Sequence, residues 1–383
     1  MKKIIILFII SLSILTGCIK KEDVKIKQKI TEIEYNTKLN ISDIVDIENL
    51  KIINDKKVDT SSLGNQKINI KYEDNNGKIH NTKVTIDVVD KTKPLLIHPQ
   101  KFTYKVGSKV DLLDKVICGD NYDANLRCEV EGEYNFNEVG EYNLFYTATD
   151  INGNETKSPF TLNIKKELSN SGNSSSNVEI SKFINNYKNE STEIGIDVST
   201  WQGDIDYEKV KNAGIDFVMI RIGFSTTKGN IILDNQYEAN IEKAKEVGLK
   251  VGVYFYSKAS SLKMARDEAK WVVEQLKNIT LELPIAFDWE CWSDFNSFHI
   301  SYTNLNDIAL EFLKEIESSG YKGIIYGSAS YLEKIWQIED YPTWLAHYTK
   351  KTDYEKDYLM WQQTASGLVP GIEGNVDLNI LYK

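Results

Sequence analysis

The sequence predicts a multidomain chain: two small β-sandwich modules followed by an α/β domain, an irregular (β/α)5(β)3 barrel of the TIM-like kind. Three observations predict it. Residues 29–166 show short apolar runs that alternate with period two and are broken by Asn, Asp and Gly. The pattern in that stretch recurs at a fixed offset. From residue 191 onward, strand-like apolar runs alternate with helical periodicity. At 383 residues the chain has room for two or three domains. The expected division is a leader at 1–17, a tether at 18–28, β modules at 29–90 and 91–166, a flexible linker at 167–190 and the barrel at 191–383.

Met1-Lys2-Lys3 is basic, and Ile4 to Leu15 is an almost unbroken apolar run. That run is shorter than the roughly 20 residues a membrane span needs. It closes on Leu15-Thr16-Gly17-Cys18. Small residues before a cysteine resemble a bacterial lipoprotein signal. The resemblance implies cleavage before Cys18, a lipid on Cys18 and a chain held at the outer face of the membrane of a Gram-positive bacterium. An uncleaved anchor is the other reading. Both place the rest of the chain outside the cytoplasm.

Net charge is -10, which argues against a nucleic-acid partner, because binders of phosphate backbones carry a basic footprint. A monomer is expected. Four cysteines occur. Cys118 and Cys128 lie close together in a compartment that permits disulfides, so they are either bridged or two free thiols. Cys291 lacks an evident histidine base and reads as a packed thiol. The four histidines show no metal-ligand spacing, so no metal and no cofactor are expected.

In the first module, Lys67 to Tyr72 alternates, Asp74-Asn75-Asn76-Gly77 supplies a turn, and Thr82 to Val89 returns as a strand. In the second, Gly140 to Tyr146, Asp150-Ile151-Asn152-Gly153 and Pro159 to Ile164 repeat the plan. Gly64 and Gly140, and Gly77 and Gly153, are both 76 residues apart. Lys38 to Asp43 matches Lys109 to Asp114 at a spacing of 71. Val110-Asp111-Leu112-Leu113, Asp120-Asn121-Tyr122-Asp123, Val139-Gly140-Glu141-Tyr142 and Thr149 to Asn154 resemble bacterial immunoglobulin-like surface domains. That resemblance covers Pro94 to Lys166 and implies a stalk or a wall-binding element, with no chemistry. Ser169 to Asn177 is almost all Ser, Asn and Gly, with too little apolar surface to fold. It would let the last domain change orientation. Val178 to Glu190 adds a short helix.

From Ile194 the expected strands are Gly195 to Ser199, Phe217 to Ile222, Lys250 to Tyr256, Leu283 to Phe287, Gly323 to Gly327, Thr343 to Ala346, Leu359 to Gln362 and Val376 to Ile380. Helices are expected at Asp206 to Asn212, Asn235 to Val247, Leu262 to Leu276 and Leu305 to Ser318. Such alternation requires a largely parallel sheet covered by helices. A closed barrel fits eight strands in about 190 residues; an open doubly wound sheet is the alternative, without the Gly-rich phosphate loop that such sheets often carry.

Asp288-Trp289-Glu290 follows an apolar strand, and period two puts both carboxylates on one face. Asp197 ends the first strand and Asp377 lies in the last, so closure of the barrel would gather all four. Crowded carboxylates raise one pKa, which suits a general acid for a glycosidic oxygen. A solvated acidic rim or a calcium or magnesium site uses the same oxygens. Trp201, Tyr254, Tyr256, Tyr326, Trp344, Tyr348 and Trp361 cluster at strand ends. Flat rings suit sugar faces, and Gln362 suits hydroxyls. The alternative is that these rings fill the barrel core.

Residues 195–203 (Gly-Ile-Asp-Val-Ser-Thr-Trp-Gln-Gly), 217–221, Phe287-Asp288-Trp289-Glu290, Trp344 to Tyr348, Trp361-Gln362-Gln363-Thr364 and 371–379 resemble glycoside hydrolase family 25, the muramidase-type lysozymes. The resemblance runs from Ile194 to Tyr382. It implies cleavage of the β-1,4 bond between N-acetylmuramic acid and N-acetylglucosamine in peptidoglycan strands. The implied acid/base is Glu290, the implied partner Asp288, and the implied supporting carboxylates Asp197 and Asp377. Retention of configuration is also implied, either with the substrate's acetamido group attacking or through a covalent aspartate. The family's Tyr-His-Phe run is Tyr254-Phe255-Tyr256 here, a departure expected to alter substrate preference. Trp289 replaces a small aliphatic residue and is expected on the barrel exterior. A glycan-binding lipoprotein that does not cut is the alternative function.

Overall fold

The computed structural model describes residues 26–48, 50–168 and 177–383. The leader, Cys18, most of the tether and residues 169–176 of the expected linker therefore lie outside the described residues. Two compact units are distinguished, one ending at Asp90 and the other running from Lys91 to Lys383.

Both β modules are built on one long hairpin. In the first, Gly64–Glu73 pairs with Ile79–Val89, Gly64 opposite Val88. In the second, Gly140–Thr149 pairs with Glu155–Lys165, Gly140 opposite Ile164. The registers coincide at the offset seen in the sequence. The turns coincide as well. Asp74 Oδ1 accepts from the N–H groups of Asn76 and Lys78, and Asp150 Oδ1 from those of Asn152 and Asn154. Gly77 and Gly153 hold φ of +77° and +88°, where a side chain would be strained. In each module a parallel strand and a short antiparallel strand complete a four-stranded sheet, and a separate two-stranded sheet closes the core. Cys118 and Cys128 form a disulfide in the second module.

The last domain is a closed barrel. Its strands are β1 (Thr192–Val198), β2 (Phe217–Ser225), β3 (Lys250–Ser257), β4 (Ile285–Trp289), β5 (Gly323–Ser328), β6 (Thr343–Ala346), β7 (Met360–Leu368) and β8 (Val376–Tyr382). β1 to β7 pair in parallel in chain order. β8 runs antiparallel to both β7 and β1 and seals the barrel. Helices follow the early strands, as the periodicity requires. Asp206 caps Tyr207–Asn212 and Ser261 caps Leu262–Gln275, each accepting a backbone N–H. The helix expected from Leu305 begins earlier, at Tyr302, because Ser301 and Asn304 form a capping box.

Strand alternation splits the core into two layers. Phe217, Met219, Ala286, Ile324, Tyr326, Trp344 and Met360 fill the barrel interior. Phe255, Phe287 and Trp289 point outward and pack under the helices. Position 195 is held to glycine because the Phe217 ring occupies the space a Cβ would take. Phe255 stacks against Phe312 and lies beside Trp271. It thus faces the helices and not the cleft. The departure at that position therefore does not remove a polar group from the site.

Candidate functional site

Parallel strands bring their C-terminal ends to one mouth, and the antiparallel β8 brings its beginning there. This is why Asp377, the second residue of β8, lies directly opposite Asp197 near the end of β1. Asp288 neighbours Tyr256 on one side and Tyr326 on the other. Glu290 follows β4 on the same face as Asp288. Trp289, between them, faces out and donates its indole N–H to the carbonyl of Ala259 at 2.9 Å.

The four carboxyl groups differ in environment. Asp288 is only 5% exposed, whereas Glu290 stands exposed at the rim. Burial raises Asp288 well above the ordinary carboxylate range, and the charges of Glu290 and Asp197 add to it. Partial burial also raises Glu290, against a hydrogen bond with Asp288 that lowers it. Two adjacent carboxyls oppose each other's full ionisation, which favours one proton shared between them. Burial pushes Asp377 up to about 8, reinforced by the charges of Asp197 and Glu290.

Asp197 rises only to about 6, because burial is opposed by two amides. Gln362 Nε2 and Asn379 Nδ2 both donate to its Oδ2, at 3.0 and 2.7 Å. Each amide is itself oriented. The hydroxyls of Tyr326 and Tyr348 both donate to Gln362 Oε1 at 2.9 Å. The indole of Trp344 donates to Asn379 Oδ1 at 2.8 Å. The result is a network in which the amide orientations and ring positions are fixed by their neighbours.

Two grooves leave the mouth. One, of about 640 Å³, runs beside Trp201, Arg221, Ile232, Asp234, Tyr256 and Lys258. The other, of about 390 Å³, is lined by Glu290, Trp292, Tyr326, Tyr331, His347 and Tyr348 among others. Trp201 is 82% exposed and Tyr348 59%, so both offer open ring faces. Tyr254 lies deeper, edge-on to Trp344.

Two expected glycan-contacting rings are corrected. Trp361 is odd in phase with Gln362 along β7, so it points out of the barrel, where its indole donates to the His347 carbonyl at 2.8 Å. Trp344 points inward but is buried beneath the mouth. Both are packing residues. Three groups at the mouth were not singled out from the sequence. Asn379 steadies Asp197, as described. Arg221 ends an apolar inward-facing row, and its guanidinium pairs with the buried carboxylate of Asp234 at 2.7 Å. Its charge still reaches Asp288 and offsets part of that group's rise. A charged residue closing the apolar run of β2 was a usable signal for Arg221. Asp234 and Asn379 had none, because their partners are remote in sequence. Cys291 is buried, and that burial pushes its thiol up to about 12.

A closed barrel with four carboxyl groups beneath an open cleft is built like the enzymes whose chemistry sits at strand C-termini. The model for glycosyl hydrolases family 25 matches residues 196–372, most of the barrel. Over 188 residues the chain is 27% identical to the autolytic lysozyme of Clostridium acetobutylicum, taking in 48% of this chain and 54% of that protein. It is 28% identical to lysozyme M1 of Streptomyces globisporus over 199 residues, 48% of this chain and 66% of that protein. The modular autolysin LytC from Streptococcus pneumoniae, solved with a synthetic peptidoglycan ligand, aligns with a TM-score of 0.46. The identity is 25%, over 62% of this chain and 56% of that one. The chain spans little more than half the length of the first of these relatives.

Proposed function

We propose that this protein is an N-acetylmuramidase that hydrolyses the β-1,4 bond between N-acetylmuramic acid and N-acetylglucosamine in peptidoglycan. The observation that carries the proposal is the pairing of a buried Asp288 with an exposed Glu290 at the end of β4, between two ring-lined grooves that a polymer can span. The family match and the relatives named as lysozymes support the same reading.

In the free protein, burial favours the shared proton on Asp288. A sugar ring filling the mouth strips water from Glu290, and positive charge growing at the anomeric carbon favours an ionised Asp288. Both effects drive the proton to Glu290. Glu290 then protonates the glycosidic oxygen as the C–O bond breaks. The acetamido oxygen of the substrate bonds to the anomeric carbon from the opposite face, and ionised Asp288 steadies the resulting cationic ring. Water next attacks that carbon while Glu290 takes its proton, and configuration is retained. Asp197 and Asp377 shape the field at the mouth, and Trp201, Tyr256, Tyr326 and Tyr348 contact the glycan.

Digestion of purified cell walls by the full chain is expected to lower turbidity and to release fragments with muramic acid at the reducing end. Reducing ends of N-acetylglucosamine would reject the bond assignment. Walls bound but uncut would favour the glycan-binding alternative.

We also propose that a lipid on Cys18 holds the chain at the outer face of the membrane. The support is the basic start, the short apolar run and the small residues before the cysteine. Cys18→Ala is expected to move the protein from the detergent phase to the aqueous phase in a phase-partition assay. Unchanged partition would overturn the lipid assignment. The second β module resembles immunoglobulin-like spacers in its motifs, which fits a chain that works at a distance from its anchor.

A further inference from the structure

The loop that leaves Glu290 is held by the second β module. Its two-stranded sheet, Leu95–Ile97 with Ile117–Gly119, serves two cores at once. Leu96 and Cys118 point into the module's own core. Leu95, Ile97 and Ile117 point the other way and join the core around the barrel. Gly119 lies against the Phe295 ring, which a Cβ there would approach to 3.1 Å. The outer edge of strand Ile117–Gly119 is taken up by the loop. Asn296 accepts from the N–H of Cys118 at 3.0 Å and donates to the carbonyl of Val116 at 3.1 Å. Two residues further on, the carbonyl of Asp120 accepts from the N–H of Tyr302 at 2.8 Å. Main-chain groups two residues apart on a strand face the same edge. A single side-chain amide and a helix N-terminus therefore occupy an edge that would otherwise seek another strand.

The segment so clamped begins at Glu290 and includes Trp292, whose ring stacks on Tyr331 at 3.9 Å beside Glu290 in the smaller groove. Phe295, fully buried, packs edge-on to Trp289. The segment ends at His299, a non-glycine residue with φ of +52°. We propose that the second β module is a built-in part of the active site, and that Asn296 is a positioning residue which fixes the placement of Glu290 through this clamp. The module is then more than a spacer. The proposal rests on the muramidase reading of the same site.

The test uses Asn296→Ala and Gly119→Ala in the full chain, assayed on solubilised peptidoglycan across pH. The first removes the amide clamp from the loop; the second adds a methyl from the module's side. Both are expected to lower kcat about ten-fold while KM changes less than two-fold, since small misplacements of a catalytic group are costly. Both are also expected to move the basic limb of the pH profile to lower pH, because a loosened Glu290 gains water and gives up its proton more readily. A structural role alone would lower the melting temperature and leave that limb in place. Variants that keep the parent kcat and the parent limb overturn the proposal, whatever their melting temperature. If the parent itself cuts no peptidoglycan, the muramidase reading fails and takes this inference with it. An active parent matched by its variants sinks the inference alone.

Discussion

Glu290→Gln is expected to lower kcat on peptidoglycan by about a thousand-fold, the middle of the range for a lost general acid, or about 4 kcal/mol of barrel-mouth catalysis. The amide is nearly isosteric with the acid and stands at the exposed rim, so the melting temperature should stay within a degree or two. The loss is therefore chemical. An amide can neither protonate the leaving oxygen nor take a proton from water in the second step, so both halves of the reaction suffer. The parent's rate should fall on the basic side as the last proton leaves the Asp288–Glu290 pair. Burial raises both groups, and the charge of Glu290 adds to the rise at Asp288, so this limb lies above the ordinary carboxylate range. In the variant the residual rate should lack that limb. A variant that solubilises walls at the parent rate would remove Glu290 from the mechanism.

Asp288→Asn is expected to cost about a hundred- to a thousand-fold in kcat, in the range typical of removing a charge-stabilising group. Two effects combine. The amide cannot carry the negative charge that faces the cationic ring, so formation of the intermediate slows. It also leaves Glu290 to titrate without an anionic neighbour, so the basic limb should move to lower pH even as the rate falls. The two variants thus differ: one abolishes the limb and the other displaces it. Stability supplies a further contrast. The native state holds a proton on buried Asp288 well above the pH at which the unfolded chain gives it up. The stability contributed by that proton is present at low pH and lost as pH rises through the folded value. Asp288→Asn should therefore stabilise the fold more at pH 8 than at pH 4. Equal melting shifts at both pH values would show that Asp288 is not held protonated.

The site was legible in the sequence where it depended on local period. Two residues apart on a strand means one face, and that alone placed Asp288 with Glu290 and turned Trp289 outward. The same rule was available for Phe255 and Trp361. The alternation along β3 and β7 puts each on the outer face, and only the place of Trp361 in a motif that holds cleft residues points it toward the cleft. Trp344 has the right phase but the wrong depth, and depth depends on how far each strand is sheared against its neighbours. Asn379, Asp234 and the Asn296 clamp were invisible for a different reason. Their partners lie 182, 13 and about 180 residues away in the chain. Neither a short-range pattern nor the type of residue announces such pairings.

The amino-acid order by itself determined the elements and their periods: the repeated hairpins with identical registers, the eight strands, the helices between them and the residues that share a face. It determined these because backbone geometry ties side-chain direction to residue spacing. Only the folded chain decided that β8 runs antiparallel and so carries Asp377 to the mouth. Folding also decided that two amides hold Asp197, that Asp288 lies buried while Glu290 stays wet, and that the second module grips the loop beyond Glu290. Those outcomes follow from which edges pair and which surfaces lose water, and both are fixed by contacts between segments far apart in the sequence.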